Sequence, residues 1–142
     1  MVGALYSDYN LDIPYAYNRK EEKNHGEGGN LVGASMEGKK VLIIDDVITA
    51  GTAIRESMII LKKANAIVIG VIVALDRQER ADDTPNSLSA IESVRQEFGI
   101  DAFAIATLND LLKYASSHKD IIGGDDVLLN IKQYQQQYGI KL

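Results

Sequence analysis

The sequence contains no cysteine and no tryptophan, and only two prolines in 142 residues. Without cysteine, disulfide bonds, thiol catalysis and Cys-based zinc sites are excluded, and the cytoplasm is the expected compartment. No apolar run approaches the length of a membrane span, and the stretch Met1–Tyr6 lacks the charged start and long apolar core of a signal peptide. We therefore expect no membrane partner and no export.

The chain is also acidic. It has fifteen Lys and Arg residues and twenty Asp and Glu residues, which gives a formal net charge of -5. A general nucleic-acid binder is not expected with this balance. The sequence has no Gly-x-x-x-x-Gly-Lys-Ser/Thr motif, and its glycines between Gly26 and Gly33 do not fit Gly-x-Gly-x-x-Gly. These absences argue against ordinary P-loop and dinucleotide sites. The 46% hydrophobic and 25% charged content is typical of one globular domain, which we assign to residues 1–142.

The most informative segment is Val41–Ala53. Its first four residues are apolar and predict a buried strand, and Asp45 and Asp46 are expected to mark the point where the chain leaves the core. The small, hydroxylated stretch Thr49–Thr52 then leads into a helical pattern. Such a turn can direct backbone N–H groups at a phosphate, and carboxylates suit sugar hydroxyls, Mg²⁺ or developing positive charge. The segment predicts a site for a phosphorylated sugar, although an acid pair after a strand also occurs in receiver domains.

Strands and helices alternate along the chain, which predicts the α/β class with a mostly parallel sheet flanked by helices. Ser89 with Glu92 predicts a capping box, Thr107 predicts a helix N-cap, and the glutamines between 133 and 137 are expected to form a solvated face. The predicted strands are Ile13–Asn18, Val41–Ile44, Ile67–Ala74 and Ala102–Ala106. The predicted helices cover about 1–9, 53–65, 90–98, 108–115 and 125–134.

Residues 19–33 are charged, rich in glycine and without periodicity, so they predict a mobile surface loop. Its Arg19, Lys20, Lys23 and His25 suit a lid that meets a polyanion and excludes water, although a solvated charged loop has the same composition. The other histidine, His118, is expected to be a solvated residue at a helix end.

Four segments in this order resemble orotate phosphoribosyltransferases of the type I phosphoribosyltransferase family: Asn18–Glu21, Lys23–Gly29, Val41–Ala53 and Ala74–Arg80. The resemblance implies the type I fold and the transfer of a phosphoribosyl group from phosphoribosyl diphosphate (PRPP) to orotate. The products would be orotidine 5'-monophosphate and diphosphate, formed in de novo pyrimidine (UMP) synthesis. It further implies Mg²⁺ bound through PRPP rather than directly by the protein, and a homodimer in which the 19–33 loop reaches the neighbouring site.

The resemblance also assigns roles to residues. Catalytic roles fall to Lys23, His25, Asp45 and Asp46, and orotate contacts fall to Thr49 and Arg77. PRPP contacts fall to Arg19, Lys20, Lys23, His25, Asp45, Asp46, Val47, Ile48, Thr49, Ala50, Gly51, Thr52 and Ala53.

The chain departs from the family pattern at its start, because the family has N-terminal elements that carry further substrate contacts. We expect an incomplete sheet with an unpaired apolar edge and an uncovered face, and a truncated or split enzyme that is weak or inactive alone. Asn24 also stands where an acidic residue is usual. Two alternatives remain: a non-catalytic PRPP-binding remnant or regulator of the same fold, and a receiver domain with Asp76 as its phosphoacceptor.

Overall fold

The structure is a computed structural model that describes residues 1–19, 31–82, 84, 87–118 and 123–140. Helices and strands alternate through most of this part of the chain, which confirms the predicted α/β class. The helices are α1 Val2–Tyr9, α2 Thr52–Lys63, α3 Ala90–Phe98, α4 Leu108–Ser117 and α5 Asp125–Tyr138, and the strands are β1 Ala16–Asn18, β2 Leu31–Gly33, β3 Lys40–Ile48, β4 Ile67–Asp76 and β5 Asp101–Thr107.

Strands β3, β4 and β5 form a parallel sheet in their order along the chain. The prediction that the chain leaves the core at Asp45 and Asp46 was wrong, because β3 continues to Ile48, which is buried. Its backbone stays paired with β4 from Asp45, opposite Val73, to Ile48, opposite Asp76. Continued pairing with a neighbouring strand satisfies backbone groups and outweighs the low strand propensity of the two aspartates.

One face of the sheet carries the main core. Helices α2 and α3 follow β3 and β4 in the chain and pack their apolar stripes on this face, as their helical spacing predicts. Their buried side chains include Ile54, Leu61, Ile91 and Val94, which cluster with Ile43, Val71, Val73 and Ala102 of the strands. A second, smaller cluster joins α4 to α5 through Leu108, Leu112, Ala115 and Leu128.

The opposite face of the sheet leaves large apolar side chains exposed. Ile44, Phe103 and Ile105 are exposed by 43%, 54% and 79%, and the first two lie in one row across the sheet with Ile72. Within the described ranges, β3 and β5 each have a strand partner on one side only. Among the described residues, the sheet therefore has the apolar edge and uncovered face that the sequence led us to expect.

A short antiparallel pair, β1 with β2, precedes the sheet. The predicted strand Ile13–Asn18 is reduced to its last three residues, and β2, within the segment predicted as a loop, was not predicted. Gly33 ends β2 with a φ of 127°, and a Cβ there would lie 2.4 Å from the carbonyl oxygen of Tyr15. Close approach of two backbones therefore requires glycine at this position.

Helix ends agree with the sequence signals. The capping box of Ser89 with Glu92 is confirmed, and Thr107 caps α4 in a second box with Asp110. Asn65 follows the C-cap residue Ala64 of α2 in a left-handed conformation, with φ 53°, at the end of the predicted helix over about 53–65. None of the described helices has the length and apolar character needed to cross a membrane.

Candidate active site

The carboxyl ends of the three parallel strands lie level with one another. Ile48 at the end of β3 pairs with Asp76 at the end of β4, which pairs with Thr107 at the end of β5. The next residues, Thr49 and Arg77, therefore leave the sheet at adjacent strand ends, roughly 5 Å apart by the usual strand spacing. This edge brings together two separate segments that the sequence assigned to one site.

The turn after β3 is shaped by Gly51. It adopts the left-handed region (φ 76°, ψ 11°), is buried and serves as the N-cap of α2. A Cβ there would lie 3.2 Å from Nη1 of Arg55 and 3.3 Å from Cγ2 of Val94. No side chain of the described residues caps α2, so the N–H groups of its first turn remain available to an anion, which the positive end of the helix dipole favours.

Arg55, which was not predicted to be part of the site, stabilises this turn through hydrogen bonds of its guanidinium. Its Nη1 donates to the carbonyl oxygen of Ala50 at 2.6 Å, its Nη2 to Ser93 Oγ at 3.0 Å, and its Nε to Glu97 Oε2 at 2.7 Å. The last two partners lie on α3. Because one guanidinium joins the turn to both helices, it restrains the backbone that would face a phosphate.

Asp45 and Asp46 lie inside β3, just before the turn. Each carboxylate accepts a hydrogen bond from the next backbone N–H: Asp46 N lies 3.0 Å from Asp45 Oδ1, and Val47 N lies 2.6 Å from Asp46 Oδ1. Asp45 is half-buried and Asp46 is exposed. In the part of the chain that the structure describes, no group of three or more His, Cys, Asp or Glu could hold a metal ion. Both carboxylates keep acceptor capacity for hydroxyl groups of a ligand.

Arg77 lies in a compact network with a residue from the last helix. Its Nε lies 2.7 Å from Glu79 Oε1, its Nη2 donates to the hydroxyl of Tyr134, and that hydroxyl donates to Glu79. The guanidinium also lies over the Tyr134 ring, 5.2 Å from its centroid. Burial, followed by the hydrogen bond to Glu79, raises the pKa of the Tyr134 hydroxyl. The Arg77 side chain is still 36% exposed, so a ligand can reach it.

The backbone around Arg77 is tied to α5 and α4. Arg80 N donates to the carbonyl oxygen of Tyr138 at 3.0 Å, and Gln78 accepts through its side chain from Asn109 N at 2.9 Å. The expectation that the glutamines between 133 and 137 are all solvated was wrong for Gln135. It is half-buried, and its Nε2 donates to Asn109 Oδ1 at 2.5 Å.

Asp76 does not suit a phosphoacceptor, because only 7% of the residue is exposed and its Oδ1 accepts from Gln78 N at 2.8 Å. Burial is the main cause that raises its pKa. This geometry argues against the receiver-domain interpretation. His118 lies at the end of α4 as predicted, partly exposed and stacked on Tyr114 at 4.1 Å between ring centroids.

The structure describes only one of the four predicted cationic residues of the 19–33 loop. Arg19 is exposed directly after β1, whereas Lys20, Lys23 and His25 lie outside the described residues. Their assignment to PRPP and catalysis stays a prediction.

Comparison with known proteins assigns a family to this arrangement. Residues 5–102 match the phosphoribosyl transferase domain. The orotate phosphoribosyltransferase of Acinetobacter baumannii (strain ACICU) is 52% identical over 137 residues, which are 96% of this chain and 60% of that protein. The chain thus spans about three fifths of the length of such relatives, in agreement with the expected partial match.

Solved structures agree on the fold. The crystal structure of orotate phosphoribosyltransferase from Francisella tularensis superimposes with a TM-score of 0.74 at 40% identity, covering 97% of this chain and 62% of that one. The orotate phosphoribosyltransferase of Mycobacterium tuberculosis in complex with PRPP has a TM-score of 0.55 at 22% identity and covers 71% of this chain and 51% of that one. The first match shows the predicted type I phosphoribosyltransferase fold.

Proposed function

Because this chain belongs to the phosphoribosyl transferase domain family, we propose that its site takes part in orotate phosphoribosyl transfer. PRPP would be the donor, orotate the acceptor, and orotidine 5'-monophosphate and diphosphate the products, as a step of pyrimidine synthesis. The observation that carries the proposal is the pairing of Ile48 with Asp76. This pairing supports the proposal because the Thr49–Ala53 turn and Arg77 follow adjacent strand ends, where the turn would bind a phosphate and Arg77 a carboxylate.

In this reaction, the bond between C1 of the ribose and diphosphate breaks, and the diphosphate leaves with the electron pair. A ring nitrogen of orotate supplies the pair for the new bond to C1, and its proton is lost. The N–H groups at the start of α2, with Thr49 and Thr52, would bind the 5'-phosphate. The carboxylates of Asp45 and Asp46 would hold the ribose hydroxyls and stabilise positive charge that develops on the ring.

Arg77 would bind the orotate carboxylate, because a planar guanidinium offers paired donors to a carboxylate. The cationic residues of the 19–33 loop would neutralise the charge of the diphosphate; they are Arg19, Lys20, Lys23 and His25. In a homodimer, the loop of one subunit would reach the site of the other. Mg²⁺ would enter bound to oxygens of PRPP and supply charge neutralisation. The hard carboxylate oxygens of Asp45 and Asp46 fit a metal-bearing sugar diphosphate.

A first experiment measures the fall in orotate ultraviolet absorbance with PRPP and Mg²⁺, alongside PRPP binding by calorimetry. Lys23→Ala is expected to abolish turnover and to weaken PRPP binding only in part, because the contacts to the 5'-phosphate and the ribose remain. Asp45→Asn with Asp46→Asn is expected to weaken PRPP binding by at least about tenfold. Lys39→Ala, an exposed lysine outside the site, serves as the matched control. A folded wild-type chain that neither binds PRPP nor consumes orotate would refute the proposal.

A second candidate, a PRPP-binding protein of the same fold without turnover, is favoured by the start of α2, which no side chain of the described residues caps and which suits a phosphate whether or not a reaction follows. The same experiment separates the two functions. PRPP binding without loss of orotate absorbance supports the binding protein, and turnover that depends on Lys23 supports the transferase.

A further inference from the structure

The last helix contributes a side chain to the edge where orotate is proposed to bind. Tyr134 of α5 lies 57 residues after Arg77 in the chain, yet its hydroxyl accepts from Arg77 Nη2 and donates to Glu79. The oxygen Oε1 of Glu79 thus accepts a hydrogen bond from Tyr134 and forms an ion pair with Arg77, whose Nε lies 2.7 Å away. The three side chains close a triangle.

This triangle engages one edge of the guanidinium and leaves another open. Nε lies beside Glu79 in the ion pair and Nη2 donates to Tyr134, whereas Nη1 has no hydrogen-bond partner among the residues that the structure describes. A guanidinium can present its Nη1 and Nη2 edge to a carboxylate as two parallel donors. The open edge therefore has a fixed direction.

We propose that Tyr134 and Glu79 are positioning residues that orient the guanidinium of Arg77 for a carboxylate-bearing pyrimidine. The inference rests on the proposed function, since it concerns how the orotate carboxylate is recognised. A free arginine side chain loses substantial rotamer entropy when it binds a ligand, and a side chain already held by two partners loses less. The benefit appears as affinity for the carboxylate.

The main test is Tyr134→Phe, which keeps the ring that lies beneath Arg77 and removes only the hydroxyl. Tyr138→Phe is the matched control, because Tyr138 is on the same helix, its ring centroid lies 4.8 Å from that of Tyr134, and it is 45% exposed. Tyr134→Phe is expected to weaken orotate binding by about tenfold in calorimetry, with kcat and PRPP affinity unchanged. Tyr138→Phe is expected to match the wild type.

A ligand without the carboxylate separates positioning from general loss of structure. Uracil lacks the group that Arg77 would bind, so its weaker affinity should be the same in the wild type and in Tyr134→Phe. Equal orotate affinity in the wild type and Tyr134→Phe would overturn the inference and leave the proposed function intact. A wild-type chain that binds PRPP but not orotate would instead count against the proposed function itself.

Glu79 could alternatively occupy Arg77 as a competitor of the substrate carboxylate, and two variants distinguish the roles. Glu79→Gln keeps an acceptor for Arg77 and Tyr134, and is expected to bind orotate within about twofold of the wild type. Glu79→Ala removes the acceptor and should weaken binding by about as much as Tyr134→Phe. Tighter orotate binding in both Glu79 variants would show competition and overturn the positioning role.

Discussion

Nη1 of Arg55 lies 2.6 Å from the carbonyl oxygen of Ala50, so a residue in the first turns of α2 holds the turn that precedes its own helix. Arg55→Met keeps the apolar stem and removes all three hydrogen bonds of the guanidinium. We expect the free energy of unfolding to fall by about 1–2 kcal/mol and PRPP affinity to fall by about tenfold. Urea denaturation and calorimetry measure the two effects.

The control for Arg55→Met is Lys62→Met, on the same helix and exposed, which should leave both quantities unchanged. If Arg55→Met unfolds at the wild-type urea concentration and binds PRPP normally, the stabilising role of Arg55 is wrong.

Gly51→Ala tests the shape of the turn. Its left-handed backbone should cost about 1–2 kcal/mol, and the close contacts with Arg55 and Val94 should add about 1–3 kcal/mol. Gly38→Ala is the comparison, because Gly38 has a φ of 66° and a Cβ there would meet nothing within 4 Å. Denaturant unfolding of both variants isolates the crowding. Equal losses of unfolding free energy in the two variants would show that Arg55 and Val94 move aside without a measurable energetic penalty.

The buried carboxyl group of Asp76 is expected to make the free energy of unfolding depend on pH. Because burial raises its pKa in the folded protein above the ordinary value of 3.8, the folded state binds more protons than the unfolded state between the two pKa values. The contribution of Asp76 to stability therefore falls as pH rises through this window. Asp76→Asn keeps an acceptor for Gln78 N and has no charge to bury, so it should be more stable than the wild type at neutral pH.

That advantage of Asp76→Asn should vanish as the pH falls below 3.8, where the carboxyl is neutral in both states. Urea unfolding at several pH values measures it. A stability difference that does not change with pH would show that the aspartate charge is not the cause.

A polar substitution should lower the free energy of unfolding much more on the buried face of the sheet than on the exposed face. Ile105 is 79% exposed and Val73 is fully buried. The exposed apolar face is expected to make the chain self-associate. Ile105→Ser should change the free energy of unfolding by less than about 0.5 kcal/mol and reduce that self-association, because it interrupts the apolar patch. Val73→Ser should cost about 2–4 kcal/mol.

Sedimentation velocity over a range of concentrations, with urea unfolding, measures these outcomes. Unchanged self-association in Ile105→Ser would show that this face does not mediate it.

Local sequence signals predicted the elements whose stability is local. The β-branched run of β4, the box of Ser89 with Glu92 and the glycine turn each carry their structural cause within a few residues. By contrast, the extension of β3 through Asp45 and Asp46 depends on pairing with β4. Strand β2 has three residues, too few for a period to be visible.

For the candidate site too, local sequence signals were predictive, whereas contacts between distant residues were missed. The segment Val41–Ala53 and Arg77 were identified because their residue types match a known motif. Arg55 and Tyr134 were missed as site residues because their partners are distant in sequence: Glu97 lies 42 residues from Arg55, and Tyr134 lies 57 residues from Arg77. The sequence predicted Tyr134 only as the last residue of the helix over about 125–134, since its hydroxyl contacts depend on tertiary packing.

The dependence of Arg77 on α5 has a consequence for biosynthesis. A ribosome completes the phosphate turn and Arg77 well before it makes Tyr134, so a nascent chain that has already formed β3, α2 and β4 still lacks the partner of this guanidinium. Premature termination before α5 would leave the parallel sheet encoded in full while removing the tyrosine from the Arg77 network. The guanidinium of Arg77 thus gains its hydroxyl partner only after α5 has been made.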